Sequence, residues 1–319
     1  MIIIRVPVRL PLGGGGTDLP RYCRQYGGHL ITASINKYIY ITINQPVTLD
    51  RIKLFYSHIE EVDSITEIKH NIIRECLKYL NIEFPIEINT SADLAGSSGM
   101  GSSSAFTVGL LLGLTHLIGV KMTKTELAEL ASKIEIDILK SPIGKQDQYA
   151  SALGGVNELL IDTSNHVTAF DVKFDYNKFE NSLLMFCTNT QRNANEILQE
   201  VNDSDVTDAL HVIKSIGCTI KQALKDGDVQ LFGELLHRHW IVKRKMTPKM
   251  TTGFINECYD KALRNSAIGG KIMGAGGGGF LLLCCRVENR NRLINAMSED
   301  MKYMDFNFEF EGAKIIYHD

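Results

Sequence analysis

The segment Asp93-Leu-Ala-Gly-Ser-Ser-Gly-Met-Gly-Ser-Ser-Ser-Ala105 decides how the rest of this chain is interpreted. It follows a segment at 84–90 that alternates like a strand, and it precedes an apolar segment at 105–114 that predicts a buried helix. Glycines let backbone N–H groups turn toward a ligand, and a helix start adds unpaired N–H groups and the positive dipole end. The segment therefore predicts a phosphate-binding loop. A flexible Gly/Ser linker is the alternative, but linkers seldom lead directly into a long apolar helix.

This loop differs from two common nucleotide-binding loops. The Walker pattern requires Gly-Lys followed by Ser or Thr, whereas the Gly-Lys pairs at 144–145 and 270–271 are followed by Gln146 and Ile272. The dinucleotide fingerprint G-x-G-x-x-G has a different order of glycines. Neither motif explains the segment.

Composition indicates a globular protein without nucleic-acid partners. The chain has 319 residues, which favours two domains, and 44% hydrophobic and 22% charged residues are ordinary for a soluble protein. The formal net charge of −3 provides no basic field for nucleic acid.

Cysteine usage and hydropathy favour a reducing compartment. The seven cysteines are scattered without a C-x-x-C pair, and Cys284 and Cys285 lie in an apolar segment that predicts buried thiols. No run of about 18 apolar residues is present, and residues 1–5 are too short for a signal peptide. We therefore expect a cytoplasmic protein with no membrane partner.

Periodicity predicts secondary structure along most of the chain. Strands are predicted near residues 2–10, 29–43, 51–57, 156–161, 182–188, 280–287 and 304–317. Helices are predicted near residues 67–81, 193–201, 205–225, 228–245, 252–265 and 289–302. A capping box at Thr123-Lys-Thr-Glu126 predicts a helix through about Leu139, and 147–152 predicts a short helix closed by Gly154. We expect two domains. Residues 1–170 would form an N-terminal nucleotide-binding domain, and residues 171–319 would form a C-terminal domain.

Three glycine-rich segments occur along the chain. The first is Pro7-Val-Arg-Leu-Pro-Leu-Gly-Gly-Gly-Gly-Thr-Asp18, the second contains Gly99-Met-Gly-Ser-Ser-Ser-Ala105, and the third is Gly269-Gly-Lys-Ile-Met-Gly-Ala-Gly-Gly-Gly-Gly279. Each resembles one motif of the GHMP kinases, in the order that this family uses, with Met100 where the family usually has Leu. The resemblance implies a two-domain α+β fold with the active site in the interdomain cleft.

The resemblance implies ATP and Mg²⁺ as cofactors. Its nucleotide-binding residues would be Gly96, Ser97, Ser98, Gly99, Met100, Gly101, Ser102, Ser103 and Ser104. Ser103 and Glu135 match the family's metal ligands, and one hydroxyl with one carboxylate suits magnesium, which keeps several waters. The alternative for Glu135 is a solvated charge on a helix.

Asp147 and Arg9 match the residues that would carry the chemistry. The segment Gly144-Lys-Gln-Asp-Gln-Tyr-Ala150 resembles the family's catalytic aspartate segment, so Asp147 would accept or orient the acceptor hydroxyl. Arg9 would lie near Asp147 and offset charge on the transferred phosphoryl group. The alternatives are a helix-capping aspartate and an ordinary arginine at a strand edge.

The acceptor site would use residues of the first and third segments. They are Gly15, Gly16, Thr17, Asp18, Gly276 and Gly277. Galactokinases carry Gly-Glu-His-Thr-Asp-Tyr, and the absence of Glu and His here makes galactose a poor candidate. An Asp in a turn can also act structurally.

Within the family the chain is most similar to the D-glycero-D-manno-heptose 7-phosphate kinases. That subgroup phosphorylates the anomeric hydroxyl, which implies a sugar phosphate as the small-molecule partner. The acceptor's phosphate would need cations, for which Lys145, Arg192 and the cluster 243–245 are available, although a solvated helix face explains part of that cluster. His237, His239 and Trp240 are interpreted as packing residues, because no carboxylate or cysteine completes a metal site.

Other functions remain open at this point. An anomeric kinase for a free sugar such as L-fucose, a non-catalytic sugar or nucleotide sensor, and a decarboxylase of the diphosphomevalonate type share the motifs. The four residues Arg9, Ser103, Glu135 and Asp147 argue against the sensor, and Thr17-Asp18 argues against the decarboxylase. We expect a monomer or a homodimer.

Overall fold

The computed structural model describes residues 1–48, 50–94, 96, 99–190 and 194–319, with backbone alone at 194, 195 and 202. The strands are β1 Ile2–Gly13, β2 Gly28–Asn44, β3 Ile52–Phe55, β4 Ile59–Val62, β5 Glu87–Ala92, β6 Val156–Ile161, β7 Val167–Asp171, β8 Leu183–Cys187, β9 Ala267–Ile272, β10 Phe280–Cys285, β11 Lys302–Met304 and β12 Lys314–His318. The helices are α1 Pro20–Tyr26, α2 Asn71–Tyr79, α3 Ser102–Leu117, α4 Lys124–Ser132, α5 Gln146–Leu153, α6 Tyr176–Ser182, α7 Ala194–Asp203, α8 Thr207–Asp226, α9 Val229–Lys243, α10 Gly253–Arg264 and α11 Arg290–Met297. A π-helical segment, Lys133–Ile138, continues α4.

The strands form two sheets within the described ranges. The larger sheet has eight strands: six follow the order β12-β1-β2-β5-β3-β4, β6 also pairs with β2, and β7 pairs with β6. Strand β2 is long enough to pair with β6 through its first half and with β5 through its second half. The smaller sheet has the order β11-β8-β10-β9. Strand β3 alternates buried and half-buried residues, whereas β1 and β10 are almost wholly buried.

Helix α3 packs directly on the larger sheet. Its sequence is apolar on all sides, which suits a helix buried among other elements. A Cβ atom at Gly109 would lie 2.4 Å from Cγ2 of Val6, and one at Gly113 would lie 2.5 Å from Cδ1 of Ile4. These two glycines therefore let α3 approach β1 closely, and this contact aims the N-terminus of α3 at the end of β1 that carries Arg9.

The chain's last strand returns to the first sheet. The sequence analysis predicted one strand at 304–317, and this is wrong: β11 pairs with β8 in the smaller sheet, whereas β12 pairs with β1 in the larger one. The intervening residues include Glu309, whose carboxylate accepts hydrogen bonds from the N–H groups of Glu311 and Gly312. Side-chain hydrogen bonds of this kind favour a turn over a continuous strand.

The α+β class is confirmed, and other features agree with expectation. The capping box at Thr123 and Glu126 is present, and Gly154 ends α5 with a φ of 72°. All seven cysteines are free, with Cys284 and Cys285 buried. In the described part of the chain, no helix is long and apolar enough to cross a membrane. The division at residue 170 remains a proposal, and β12 would cross it.

Candidate active site

Arg9 and Asp147 form a bidentate ion pair. Nε of Arg9 donates to Oδ1 of Asp147 at 2.7 Å, and Nη2 donates to Oδ2 at 3.0 Å. The remaining Nη1 donates to the carbonyl oxygen of Gly99. The backbone N–H of Arg9 donates to the carbonyl oxygen of Met100 at 3.1 Å. Strand β1, helix α5 and the second glycine-rich segment are thus joined through one guanidinium group, which fixes the orientation of the carboxylate.

Gly101 makes this arrangement possible. Its φ is 75°, and a Cβ atom there would lie 2.9 Å from both Cγ of Arg9 and Oδ2 of Asp147. A side chain would therefore be strained by its backbone and would displace the ion pair. Gly101 immediately precedes α3, so the pair lies beside the unpaired N–H groups that begin this helix.

Asp18 connects the first glycine-rich segment to the start of α5. Its Oδ2 accepts from the N–H of Gln146 at 3.1 Å, and its Oδ1 accepts from the N–H of Gly16 at 3.2 Å. Burial raises the pKa of Asp18, against the lowering effect of the Gln146 N–H. A Cβ at Gly144 would lie 2.1 Å from Oδ2 of Asp18, so glycine is required there for this contact.

Ser103, Glu135 and Gln148 form a buried polar cluster. Oγ of Ser103 donates to Oε1 of Glu135 at 3.1 Å, and Nε2 of Gln148 donates to Oε2 at 2.7 Å. Glu135 lies on the π-helical segment, a geometry that is frequent at functional sites. Burial raises the pKa of Glu135 to about 7.

This cluster fits a divalent cation. Glu135 is 2% exposed, and no cation of the described residues forms an ion pair with it. A buried carboxylate without a cation is costly, and a bound Mg²⁺ would offset that cost. The described residues contain no group of three or more His, Cys, Asp or Glu side chains that could hold a metal. A site made from Ser103 and Glu135 would thus need ligands from a bound nucleotide as well.

Two cavities meet at the Arg9–Asp147 pair. The first-loop cavity is lined by Gly15, Gly16 and Asp18 of the first segment, and the second-loop cavity is lined by Ser103 and Glu135. Both cavities share the following residues: Arg9, Ile143, Asp147, Leu198, Gly274 and Ala275. The two cavities are therefore adjacent at the Asp147 carboxylate.

The third glycine-rich segment packs against the second glycine-rich segment. A Cβ at Gly274 would lie 2.4 Å from the carbonyl oxygen of Gly99, so two glycine-rich turns are in contact. The predicted Gly276 and Gly277 contact Met250 instead: the N–H of Gly277 donates to the Met250 carbonyl at 2.8 Å, and a Cβ at Gly276 would meet its sulfur. They do not line either cavity, whereas Gly274 does.

Some of the predicted nucleotide-binding residues line the second-loop cavity, and others do not. Its lining includes Gly99, Gly101, Ser102, Ser103 and Ser104. Met100 is fully buried, and Gly96 is exposed and does not line the cavity. Ser97 and Ser98 lie outside the described residues.

Two predicted acceptor-binding residues have other partners. Thr17 is buried, and its Oγ1 donates to the carbonyl oxygen of Gly14 at 2.8 Å, which holds the turn together. Nζ of Lys145 contacts both carboxylate oxygens of Glu129 and the carbonyl oxygen of Asn165, and lines a cavity on another face. The structure does not bring Lys145 to the Arg9–Asp147 pair, and Arg192 lies outside the described residues.

The structure adds His239 and Lys271 to the site, and it selects Lys243 from the basic cluster that the sequence offered for the acceptor's phosphate. His239, Lys243 and Lys271 line the first-loop cavity, although His239 was interpreted as a packing residue and Lys243 only as part of a basic cluster. Lys271 is 2% exposed in β9. The sequence did contain a signal for Lys271, namely a lysine within an otherwise apolar strand segment. A buried ammonium group is rare without a functional partner.

Comparison with known proteins identifies the family. The model for the GHMP kinases N terminal domain matches residues 71–155, and the model for the GHMP kinases C terminal domain matches residues 220–302. The chain belongs to the GHMP kinase family.

Three relatives show how the family resemblance extends over the chain. The D-glycero-alpha-D-manno-heptose 7-phosphate kinase of Campylobacter jejuni is 28% identical, covering 97% of each chain. The L-fucokinase/L-fucose-1-P guanylyltransferase of Bacteroides fragilis is 22% identical, covering 98% of this chain and 38% of that protein. The crystal structure of a D-glycero-D-manno-heptose 1-phosphate kinase from Bacteroides thetaiotaomicron superposes with a TM-score of 0.84 at 25% identity, covering 100% of each chain.

Proposed function

We propose that this protein is an ATP-dependent kinase that phosphorylates the anomeric hydroxyl of a sugar phosphate. The specific substrate we propose is D-glycero-D-manno-heptose 7-phosphate, with the 1,7-bisphosphate as product. The observation that carries the proposal is the position of the Arg9–Asp147 pair where the two cavities meet. An acceptor in one cavity and a nucleotide in the other would react across this pair.

The residues that line the two cavities would serve different parts of phosphoryl transfer. ATP bound with Mg²⁺ supplies the phosphoryl group and a cation that offsets its charge. Ser103 and Glu135 would hold that cation, and the N–H groups at the start of α3 would bind phosphate oxygens. Asp18 and Asp147 orient the acceptor's hydroxyl groups from the first-loop cavity.

Asp147 can orient a hydroxyl and take its proton while paired with Arg9. A carboxylate has about four lone-pair sites, and Arg9 occupies two of them. The acceptor hydroxyl is far less acidic than an aspartate, so transfer of its proton would occur late, in a loose transition state. Arg9 then holds the carboxylate in place and offsets charge near the transferred group.

Two observations bear on the choice of sugar. The heptose 7-phosphate kinase of Campylobacter jejuni matches the chain over nearly its full length, which supports a phosphorylated heptose. The fucokinase relative supports the second candidate, an anomeric kinase for a free sugar such as L-fucose. A charge-assisted contact with a phosphate stabilises binding by about 1.5–3 kcal/mol, so two contacts would separate the candidates by roughly two to four decades.

A substrate panel tests the proposal directly. ADP release would be measured with D-glycero-D-manno-heptose 7-phosphate, the unphosphorylated heptose, galactose and L-fucose, each with MgATP. We expect the highest kcat/KM with the sugar phosphate, and phosphorus NMR of the product should show a new anomeric phosphate. Preference for L-fucose would replace the substrate but retain the kinase, whereas no turnover with any sugar would contradict the kinase itself.

A further inference from the structure

Helix α9 and strand β9 present three nitrogen-bearing side chains to the first-loop cavity. His239 and Lys243 are four residues apart on α9, so they lie on one face of the helix. Lys271 is on β9, where its neighbours along the sheet are residues of β10. All three line the cavity that also contains Asp18 and the Arg9–Asp147 pair.

These side chains have few partners within the described residues. His239 is 1% exposed, and neither Nδ1 nor Nε2 has a hydrogen-bond partner. Nζ of Lys271 contacts only the carbonyl oxygen of Leu12, at 3.3 Å, and Nζ of Lys243 contacts the carbonyl oxygens of Gly274 and Ile272. Neither lysine forms an ion pair with a carboxylate of the described residues.

The charge of the cavity is therefore unbalanced. Arg9 and Asp147 neutralise each other, which leaves Lys243 and Lys271 with the single carboxylate of Asp18 in this cavity. Burial, with Arg9 nearby, lowers the pKa of Lys243 to about 7, and burial with Lys243 and Arg9 nearby lowers the pKa of Lys271. Burial of unpaired ammonium groups is costly, and an anion held between them would remove that cost.

We propose that His239, Lys243 and Lys271 bind the phosphate group that the acceptor sugar already carries. This inference rests on the proposed kinase function and names the part of the site that would select a sugar phosphate over a free sugar. Two ammonium groups would make charge-assisted hydrogen bonds to the phosphate, and the imidazole of His239 would donate a third. This replaces Lys145 as the candidate, because the ammonium of Lys145 is already held by Glu129.

The nucleotide's phosphates are a less suitable occupant. The second glycine-rich segment, Ser103 and Glu135 line the second-loop cavity, whereas the three side chains line only the first-loop cavity. The first-loop cavity also contains Gly15, Gly16 and Asp18. His239, Lys243 and Lys271 thus lie on the side of Asp147 where we place the acceptor.

Binding measurements on matched variants test this subsite without relying on turnover. Calorimetry with saturating MgADP would compare D-glycero-D-manno-heptose 7-phosphate with the unphosphorylated heptose, for wild type, Lys243→Met and Lys271→Met. We expect each variant to bind the sugar phosphate roughly 10- to 100-fold more weakly, with unchanged affinity for the free heptose and for ADP. The control is Lys245→Met, since Lys245 is exposed and does not line the cavity.

Thermal unfolding separates a binding role from a structural one. Lys271→Met replaces a buried amine, whose contact in the described residues is the Leu12 carbonyl oxygen, with an apolar side chain, so its Tm should equal or exceed that of wild type. A large fall in Tm, or a wild-type ratio of sugar-phosphate to free-sugar affinity in both variants, would overturn the subsite. The subsite would also be overturned if only Lys145→Met or Arg192→Met weakened binding of the sugar phosphate. If wild type turned over no sugar, the proposed function would fail, while the binding ratios would still decide whether this subsite exists.

Discussion

Nε2 of Gln148 donates to Oε2 of Glu135 at 2.7 Å, and the residue before Gln148 is Asp147. One turn of α5 thus contacts two different surroundings: Asp147 pairs with Arg9 where the cavities meet, and Gln148 binds Glu135 in the buried cluster with Ser103. The Gln148 amide thus links the candidate metal ligand Glu135 to the helix that carries the candidate base Asp147.

The first prediction concerns Asp147. Asp147→Asn keeps the size of the side chain but removes its charge and its ability to accept a proton. We expect kcat to fall by about 10²–10⁴ with little change in ATP affinity. Steady-state kinetics and nucleotide binding on the folded variant would check this. Turnover like that of wild type would show that Asp147 has no catalytic role.

The second prediction concerns the coupling between Arg9 and Asp147. Because both act through one bidentate contact, their effects should not add. Arg9→Met should lower kcat by about 10²-fold or more, and the double variant Arg9→Met/Asp147→Asn should be no slower than Asp147→Asn alone by more than about threefold. Fully additive losses in the measured kcat would mean that the residues act independently.

The third prediction concerns magnesium and Glu135. Glu135→Gln should raise the Mg²⁺ concentration needed for half-maximal rate and lower kcat, because a charged ligand is replaced by a neutral one. Ser103→Ala should act in the same direction with a smaller effect. A magnesium titration that superposes on wild type for both variants would remove them from the metal site.

The fourth prediction concerns the pH dependence of stability without metal. Burial raises the pKa of Glu135 to about 7 from about 4.5 in the unfolded chain, so the folded state binds the extra proton between these values. The contribution of Glu135 to the free energy of unfolding therefore falls as pH rises from 4.5 to 7, and it stays low above 7. Glu135→Gln should be more stable than wild type at pH 8, by up to about 3 kcal/mol, but not at pH 4.5.

Unfolding in urea at both pH values, with EDTA present, measures this difference. Adding Mg²⁺ and ADP at pH 8 should stabilise wild type more than the variant, since only wild type retains the carboxylate. An equal difference in stability at pH 4.5 and pH 8 would contradict the assignment of the titration to Glu135.

The fifth prediction concerns Gly101. Gly101→Ala would place a methyl group against Arg9 and Asp147, and displacement of a catalytic group by about 1 Å can cost roughly 10²-fold in rate. The matched control is Gly119→Ala, since Gly119 has the same φ of 75° but no atom within 4 Å of its Cβ position. Both variants should lose the stability that a side chain at positive φ costs, Gly101→Ala should lose more because its methyl group also meets the ion pair, and only Gly101→Ala should lose kcat. Equal kcat in the two variants would contradict the prediction.

The sequence alone determined the elements and motifs whose signals are local. Helix α3 and its glycine-rich start, the capping box at Thr123 and the end of α5 at Gly154 depend on neighbouring residues, and the structure confirms them. The order of the glycine-rich segments was sufficient to recognise the family. Short elements were missed, among them α1, α6, β4, β7 and β9, because their patterns are too brief to distinguish from turns.

Only the tertiary structure decided which side chains share a cavity. The separation of β11 from β12 depends on strand pairing between distant parts of the chain, which periodicity cannot specify. The basic residues Lys145 and Lys243 look alike in the sequence, yet one is paired with Glu129 and the other lines the first-loop cavity. Their roles differ because burial and ion pairing arise from packing between segments, and packing places His239 and Lys271 beside Lys243.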